Sequence, residues 1–205
     1  MKKLLITTLA VMLTFGMVVA SEAVVLSPSD NNVATTGATS PGDSDPILAS
    51  VIDVPYTTTT GLVFGTLSAW VREDADGFLV FEYQVTVDGD SEDAIGRITV
   101  INYAGWATDA DSDGSLVDAD TMDRSLSGST IGFDFDAGLD PGETSSLLWV
   151  KTNATNYTGG FTNVINGGVD TIATFAPAVP EPTSMLLFGT GLLGFVGRLR
   201  KRFGA

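Results

Sequence analysis

The 205-residue chain contains no cysteine and no histidine. Without cysteine there is no disulfide and no thiolate chemistry. Without histidine the commonest general base, the Ser-His-Asp triad and the usual zinc sites are all missing. Cations are scarce too. Of the 10 lysines and arginines only Arg72, Arg97, Arg124 and Lys151 lie within residues 24–178, against 23 of the 25 acids, a net charge of −19 for that stretch. So acidic a body excludes nucleic acid and anionic membrane surfaces as partners, and it favours solubility and divalent cations. Its length suits one domain, large enough to form a core without disulfide staples.

The remaining positive charge sits at the two termini. Met1-Lys2-Lys3 is a short basic segment, Leu4 to Ala20 is apolar, and small residues follow at Ala20 and Ala23. This is the pattern of a secretory signal peptide over residues 1–23, cleaved after Ala20 or Ala23.

At the other terminus three blocks follow without a gap. Val179-Pro180-Glu181-Pro182 comes after a segment that already holds Pro177. Proline fixes φ and pushes its predecessor to extended geometry, so the linker 177–182 is a stiff, extended peptide shaped for another protein's cleft. Residues 183–197 carry no charge. A helix over them spans roughly 22 Å, short of the ~30 Å hydrocarbon core, unless Leu199 and snorkelling arginines extend it. The basic tail 198–205 follows, with Arg198, Arg200, Lys201 and Arg202 as a membrane stop. The positive-inside rule places it in the cytoplasm. The expected product is an N-out, C-in intermediate on a marginal anchor.

Together these blocks resemble the PEP-CTERM sorting signal, over residues 179–205 alone. The resemblance implies an exported protein of a Gram-negative bacterium, recognised at the membrane by an exosortase. Cleavage near the motif would pass the body to the cell surface or an exopolysaccharide matrix. The catalytic residues of that cleavage belong to the sorting enzyme, so the resemblance assigns none here. Gly189-Thr190-Gly191-Leu192-Leu193-Gly194 spells G-x-G-x-x-G. A proline pair, not a strand, precedes it and no βαβ unit surrounds it, so it is not read as a nucleotide site. Its glycines give the helix a thin face.

Residues 24–60 are loop-like in composition, with Val51-Ile52-Asp53-Val54 a candidate edge strand. From Gly61 the hydrophobic period becomes two. Strands are predicted at 62–72, 78–88, 95–103, 130–136, 145–152, 161–166 and 169–175. In 78–88 the residues Leu79, Phe81, Tyr83, Val85 and Val87 share one face. No segment of the body shows helical period. The expected fold is all-β, a single antiparallel sandwich over 61–176, immunoglobulin-like or jelly-roll, flanked by the signal helix and the transmembrane helix.

Between the third and fourth predicted strands lies an acidic stretch, expected to be a loop. Asp109, Asp111 and Asp113 stand at positions 1, 3 and 5 of a twelve-residue segment, Gly114 at 6, Ser115 at 7 and Asp120 at 12. Calcium takes six to eight oxygens, which such spacing can supply from one tight loop. The segment resembles EF-hand and dockerin calcium loops. It departs from them in having Asp at position 12 and no flanking helix. A solvated acidic loop is the competing reading. The sequons Asn153-Ala154-Thr155 and Asn156-Tyr157-Thr158 are read as chance matches, since the resemblance implies a bacterial host. Trp106, beside Gly105, is the best placed aromatic for stacking on carbohydrate; Trp70 and Trp149 belong more naturally to a core. Paired carboxylates raise a glycosidase reading, but most fall in turns or on outward positions, so no enzyme is expected. The expected role is a structural or interaction protein of the surface or matrix. A carbohydrate-binding module, with or without calcium, is the alternative.

Overall fold

The computed structural model describes residues 23–178. The signal helix, the Pro-Glu-Pro motif, the anchor helix and the basic tail lie outside the described residues.

The hairpin of β4 (Phe64–Glu73) and β5 (Leu79–Val87) forms where period-two alternation is strongest. Leu79, Phe81, Tyr83, Val85 and Val87 are all buried on the inward face. The turn between them is fixed by Asp74, whose Oδ1 accepts from the N–H groups of Asp76 (3.0 Å) and Phe78 (2.9 Å). Gly77 supplies the left-handed residue that such a turn needs, at φ 82°.

Twelve strands are assigned among the described residues. One sheet, here sheet A, has the order β1 (Val24–Val25), β7 (Thr108–Ser112), β10 (Leu148–Thr152), β5, β4, β3 (Ile47–Thr57). Sheet B has the order β12 (Gly168–Pro177), β11 (Tyr157–Asn166), β6 (Ile95–Ile101), β9 (Thr130–Leu139), β8 (Thr121–Arg124), β2 (Val33–Ala34). Strand pairing within both sheets is antiparallel. Phe81, Tyr83, Val85 and Val150 of sheet A meet Ile98, Ile131, Phe133 and Val164 of sheet B in one apolar core. Residues that alternate in-out on both sheets thus bury a common layer, the architecture that the period predicts.

Two expectations need correction. Residues 24–60, expected to be irregular apart from one edge strand, supply β1, β2 and the eleven residues of β3. β3 is indeed the edge of sheet A, with a bulge between Val51 and Val54 where Asp53 sits at φ 50°. The acidic stretch is not one loop either: it contains β7 and β8. In β7 Ala110 faces the core, while Asp109 and Asp111 alternate onto the outer face. Aspartates disfavour strands, and small inward residues weaken the hydrophobic pattern, so this strand has almost no signature.

The outer face of sheet A is roofed by residues 35–46. Trp149 Nε1 donates to Ala38 O (2.8 Å), and Val80, Trp149 and Ala38 form a second small apolar cluster. Ser40 Oγ donates to Glu82 Oε1 (2.7 Å), whose Oε2 receives Arg72 Nε (2.8 Å). Arg72 Nη1 donates in turn to Asp45 O (2.6 Å). A Cβ on Gly42 would stand 3.1 Å from Arg72 Cβ and 3.3 Å from Val80 Cβ, so the strap lies close against the sheet. Glu82 is 1% exposed, and its charge is met by a guanidinium and a hydroxyl, which is what a buried carboxylate requires.

Candidate functional site

The loops sort to two ends of the sandwich. Residues 88–94, 113–120, 140–147 and the β11–β12 turn lie at one end, by the registers of the strands they join. Residues 26–32, 74–78, 102–107, 125–129 and 153–156 lie at the other. The chain leaves the domain at this second end. β12 runs to Pro177, opposite Tyr157, and the next residue still donates a backbone hydrogen bond, Ala178 N to Asn156 O (2.9 Å). No spacer therefore separates the folded domain from Val179.

Arg124 organises the exit end. It is 3% exposed and ends β8. Its Nε donates to Gly128 O (3.0 Å), Nη1 to Leu26 O (2.8 Å) and Thr108 Oγ1 (2.7 Å), and Nη2 to Tyr103 O (2.9 Å) and Trp106 O (2.8 Å). One planar fork thus gathers four segments, and carbonyl and hydroxyl oxygens stand in for a carboxylate. Burial lowers the guanidinium's affinity for its proton, opposed by the charge of Asp30. Nearby, Lys151 Nζ lies 2.6 Å from Asp74 Oδ2. Burial opposes ionisation of Asp74, but the bonds from Lys151, Phe78 N–H and Asp76 N–H together outweigh it and lower its pKa. The bond to Asp74 raises that of Lys151.

The exit end continues into a sorting signal. Residues 178–201 match the family model of the PEP-CTERM protein-sorting motif. The motif implies an exported protein that an exosortase handles in a Gram-negative bacterium. No curated protein and no solved structure matches the chain. The resemblance drawn at residues 179–205 therefore stands, over a stretch that begins one residue earlier than Val179 and ends at Lys201, short of Arg202.

The calcium candidates are dispersed by the fold. Asp109 lies opposite Lys151 and lines a cleft with Asp76 and Phe78. Asp111 is buried, accepting from Thr36 N (2.8 Å), Thr36 Oγ1 and Ser112 N (2.8 Å). Asp113 Oδ1 accepts from Ser115 N (3.1 Å), Ser115 Oγ (2.7 Å) and Leu147 N (3.0 Å). Asp120 Oδ2 accepts from Asp136 N (2.7 Å). An extended β7 cannot wrap its carboxylates around a point. Among the described residues no group of three or more acids is placed to hold a metal ion. The aromatic candidates do not converge either. Trp149 is buried, and Trp70 and Trp106 are half-buried.

Among the described residues the outer face of sheet B has no roof like that of sheet A. β11 carries no charged residue and β6 only Arg97. Thr171 Oγ1 donates to Asn163 Oδ1 (2.8 Å), and Asn163 Nδ2 donates to Thr99 Oγ1 (3.0 Å). This polar ladder runs across three strands beside Phe161, which is 46% exposed. Sequence reasoning missed both the strap and the ladder, because neither is carried by residues close in the chain. One trace was available: the unbroken apolar runs Leu79-Val80-Phe81 and Leu148-Trp149-Val150 ask for cover on both faces.

Proposed function

We propose that the body is a non-enzymatic structural or interaction protein of the cell surface or exopolysaccharide matrix, delivered there by exosortase cleavage of its tail. The observation that carries this reading is the continuity of β12 with the sorting motif: one folded unit, ending where the signal begins. The acidic body supports it by favouring solubility outside the cell. The acids of the 109–120 segment supply turn and strand-end hydrogen bonds, consistent with a structural use. Tagging the chain at both termini in cells with an intact exosortase tests delivery. The expected result is separation of the two tags; a single full-length species carrying both overturns it.

A second reading, a carbohydrate-binding module, is favoured by the uncharged ladder beside Phe161. A pyranose presents an apolar face and a hydroxyl rim, which matches an apolar row next to a hydroxyl and amide row. Glycan-array binding with and without calcium separates the two readings. Turnover of any polysaccharide would instead mark a hydrolase.

A further inference from the structure

The two ends of the sandwich differ in chemistry. The loops 88–93, 113–120 and 140–143 at the far end carry nine acids and no cation. The four segments gathered by Arg124 or lying beside them, 26–32, 102–107, 125–129 and 153–156, carry one acid, Asp30. Asp30 is held in place, its Oδ2 accepting from Ser27 N at 2.7 Å. The tips of these segments are apolar or small. Leu126 is 84% exposed, Ala104 and Ala107 are exposed, and Trp106 is half-buried beside them. Tyr157, 40% exposed, stands where the chain leaves. The Leu126 side chain, left almost wholly in solvent, costs solubility.

The length of the exit fixes what lies opposite. Ala178 is still hydrogen-bonded to the domain, and the uncharged run starts at Thr183. The five steps from Ala178 to Thr183 reach at most roughly 18 Å. The headgroup layer takes about 5–8 Å of that distance. While the tail is embedded, the loops around Arg124 are therefore held at the bilayer surface.

We propose that the exit-end loops, led by Leu126 with Ala104 and Trp106, dock on the phospholipid surface while the chain is anchored, and that the acidic far end points away from it. The inference rests on the membrane-anchored intermediate. The partner is a zwitterionic lipid surface, because a body of net charge −19 is repelled by an anionic one. A leucine at the tip, with the partly exposed apolar surface of Trp106 beside it, suits the apolar side of the headgroup level. The other turn at this end, 74–78, is acidic, which confines the contact to the loops around Arg124.

The absence of cysteine makes the test clean. The full chain is reconstituted in phosphatidylcholine vesicles with single nitroxide labels at Leu126→Cys, Ala104→Cys, Ser115→Cys or Leu193→Cys. Oxygen and a water-soluble nickel chelate then report lipid and water exposure. The expected result is a several-fold higher oxygen-to-nickel collision ratio at positions 126 and 104 than at 115, reduced when phosphatidylglycerol is added. Lipid exposure at 193 with water exposure at both 126 and 104 overturns the docking and leaves the anchor intact. Water exposure at 193 overturns the anchored intermediate, and the docking with it. Equal lipid exposure at 126 and 115 overturns the orientation.

Discussion

Arg97 lies flat over Gly132. Its side chain starts on β6, crosses β9 and places Nη1 2.5 Å from Asp134 Oδ2 on β9 and 2.5 Å from Asp123 Oδ2 on β8. A Cβ on Gly132 would overlap the guanidinium. The glycine is thus the gap through which one cation ties three strands together. Replacing Gly132 with alanine is expected to cost about 1–2 kcal/mol, and so is replacing Arg97 with alanine. The double variant should lose less than the sum, because both substitutions remove the same contact. Urea unfolding of the four proteins measures the coupling. Strict additivity would show that the ion pairs and the glycine are independent.

Arg124 predicts a larger loss. Arg124→Ala removes five hydrogen bonds at once: Gly128 O and Trp106 O lose their guanidinium donor, while Leu26 O keeps only Thr108 Oγ1 and Tyr103 O keeps only Trp106 N. A cost of about 3 kcal/mol or more is expected. Arg124→Lys keeps the charge but lacks the planar fork, so it should recover less than half of the loss. Thermal unfolding of both variants checks this.

Three buried hydroxyls set the alkaline limit. Tyr83 and Tyr103 are hydrogen-bonded to each other at 2.8 Å, and Tyr83 also donates to Phe175 O (3.1 Å), so Tyr103 donates to Tyr83. Burial raises the pKa of both, and of Tyr56, above the usual 10.0. A raised folded-state value means the unfolded chain ionises first. The stability from these groups is complete below pH 10 and is lost as pH rises beyond it. The urea midpoint should fall steeply above pH 10, less so in Tyr103→Phe. A midpoint constant to pH 12 contradicts this.

Asp74 acts at the opposite limit. Its pKa is depressed in the fold, so its contribution is present above the usual 3.8 and disappears as pH falls through the folded-state value. Lys151→Met removes the ammonium and leaves burial less opposed. The Asp74 carboxyl should then titrate at higher pH, which a carboxyl-carbon NMR titration resolves. An unchanged value would assign the depression to the Phe78 and Asp76 amides alone.

The legible part of this fold was the part with regular alternation. Leu79, Phe81, Tyr83, Val85 and Val87 announce an inward face from sequence, and the structure buries them. The sorting motif was legible because its three blocks are contiguous. β7 was not, because Asp109 and Asp111 take outward positions whose neighbours, Lys151 in the register and Thr36 by hydrogen bond, lie 42 and 75 residues away. The calcium reading failed to assemble for the same reason. Spacing along a chain describes a metal loop only if the chain turns there, and here it runs straight through Ser112. The strap at 35–46 was hidden by its serine, threonine and glycine content, which is loop-like whether the segment floats or lies against a tryptophan.

Sheet B needs its last strand, and that strand stops at Pro177. During export the final pairing of β12 with β11 must wait until the chain has emerged through Pro177, with the sorting motif next in line. Completion of the sandwich thus acts as a ratchet. Once β12 has zipped onto its neighbour, backward slippage would have to unzip ten paired residues.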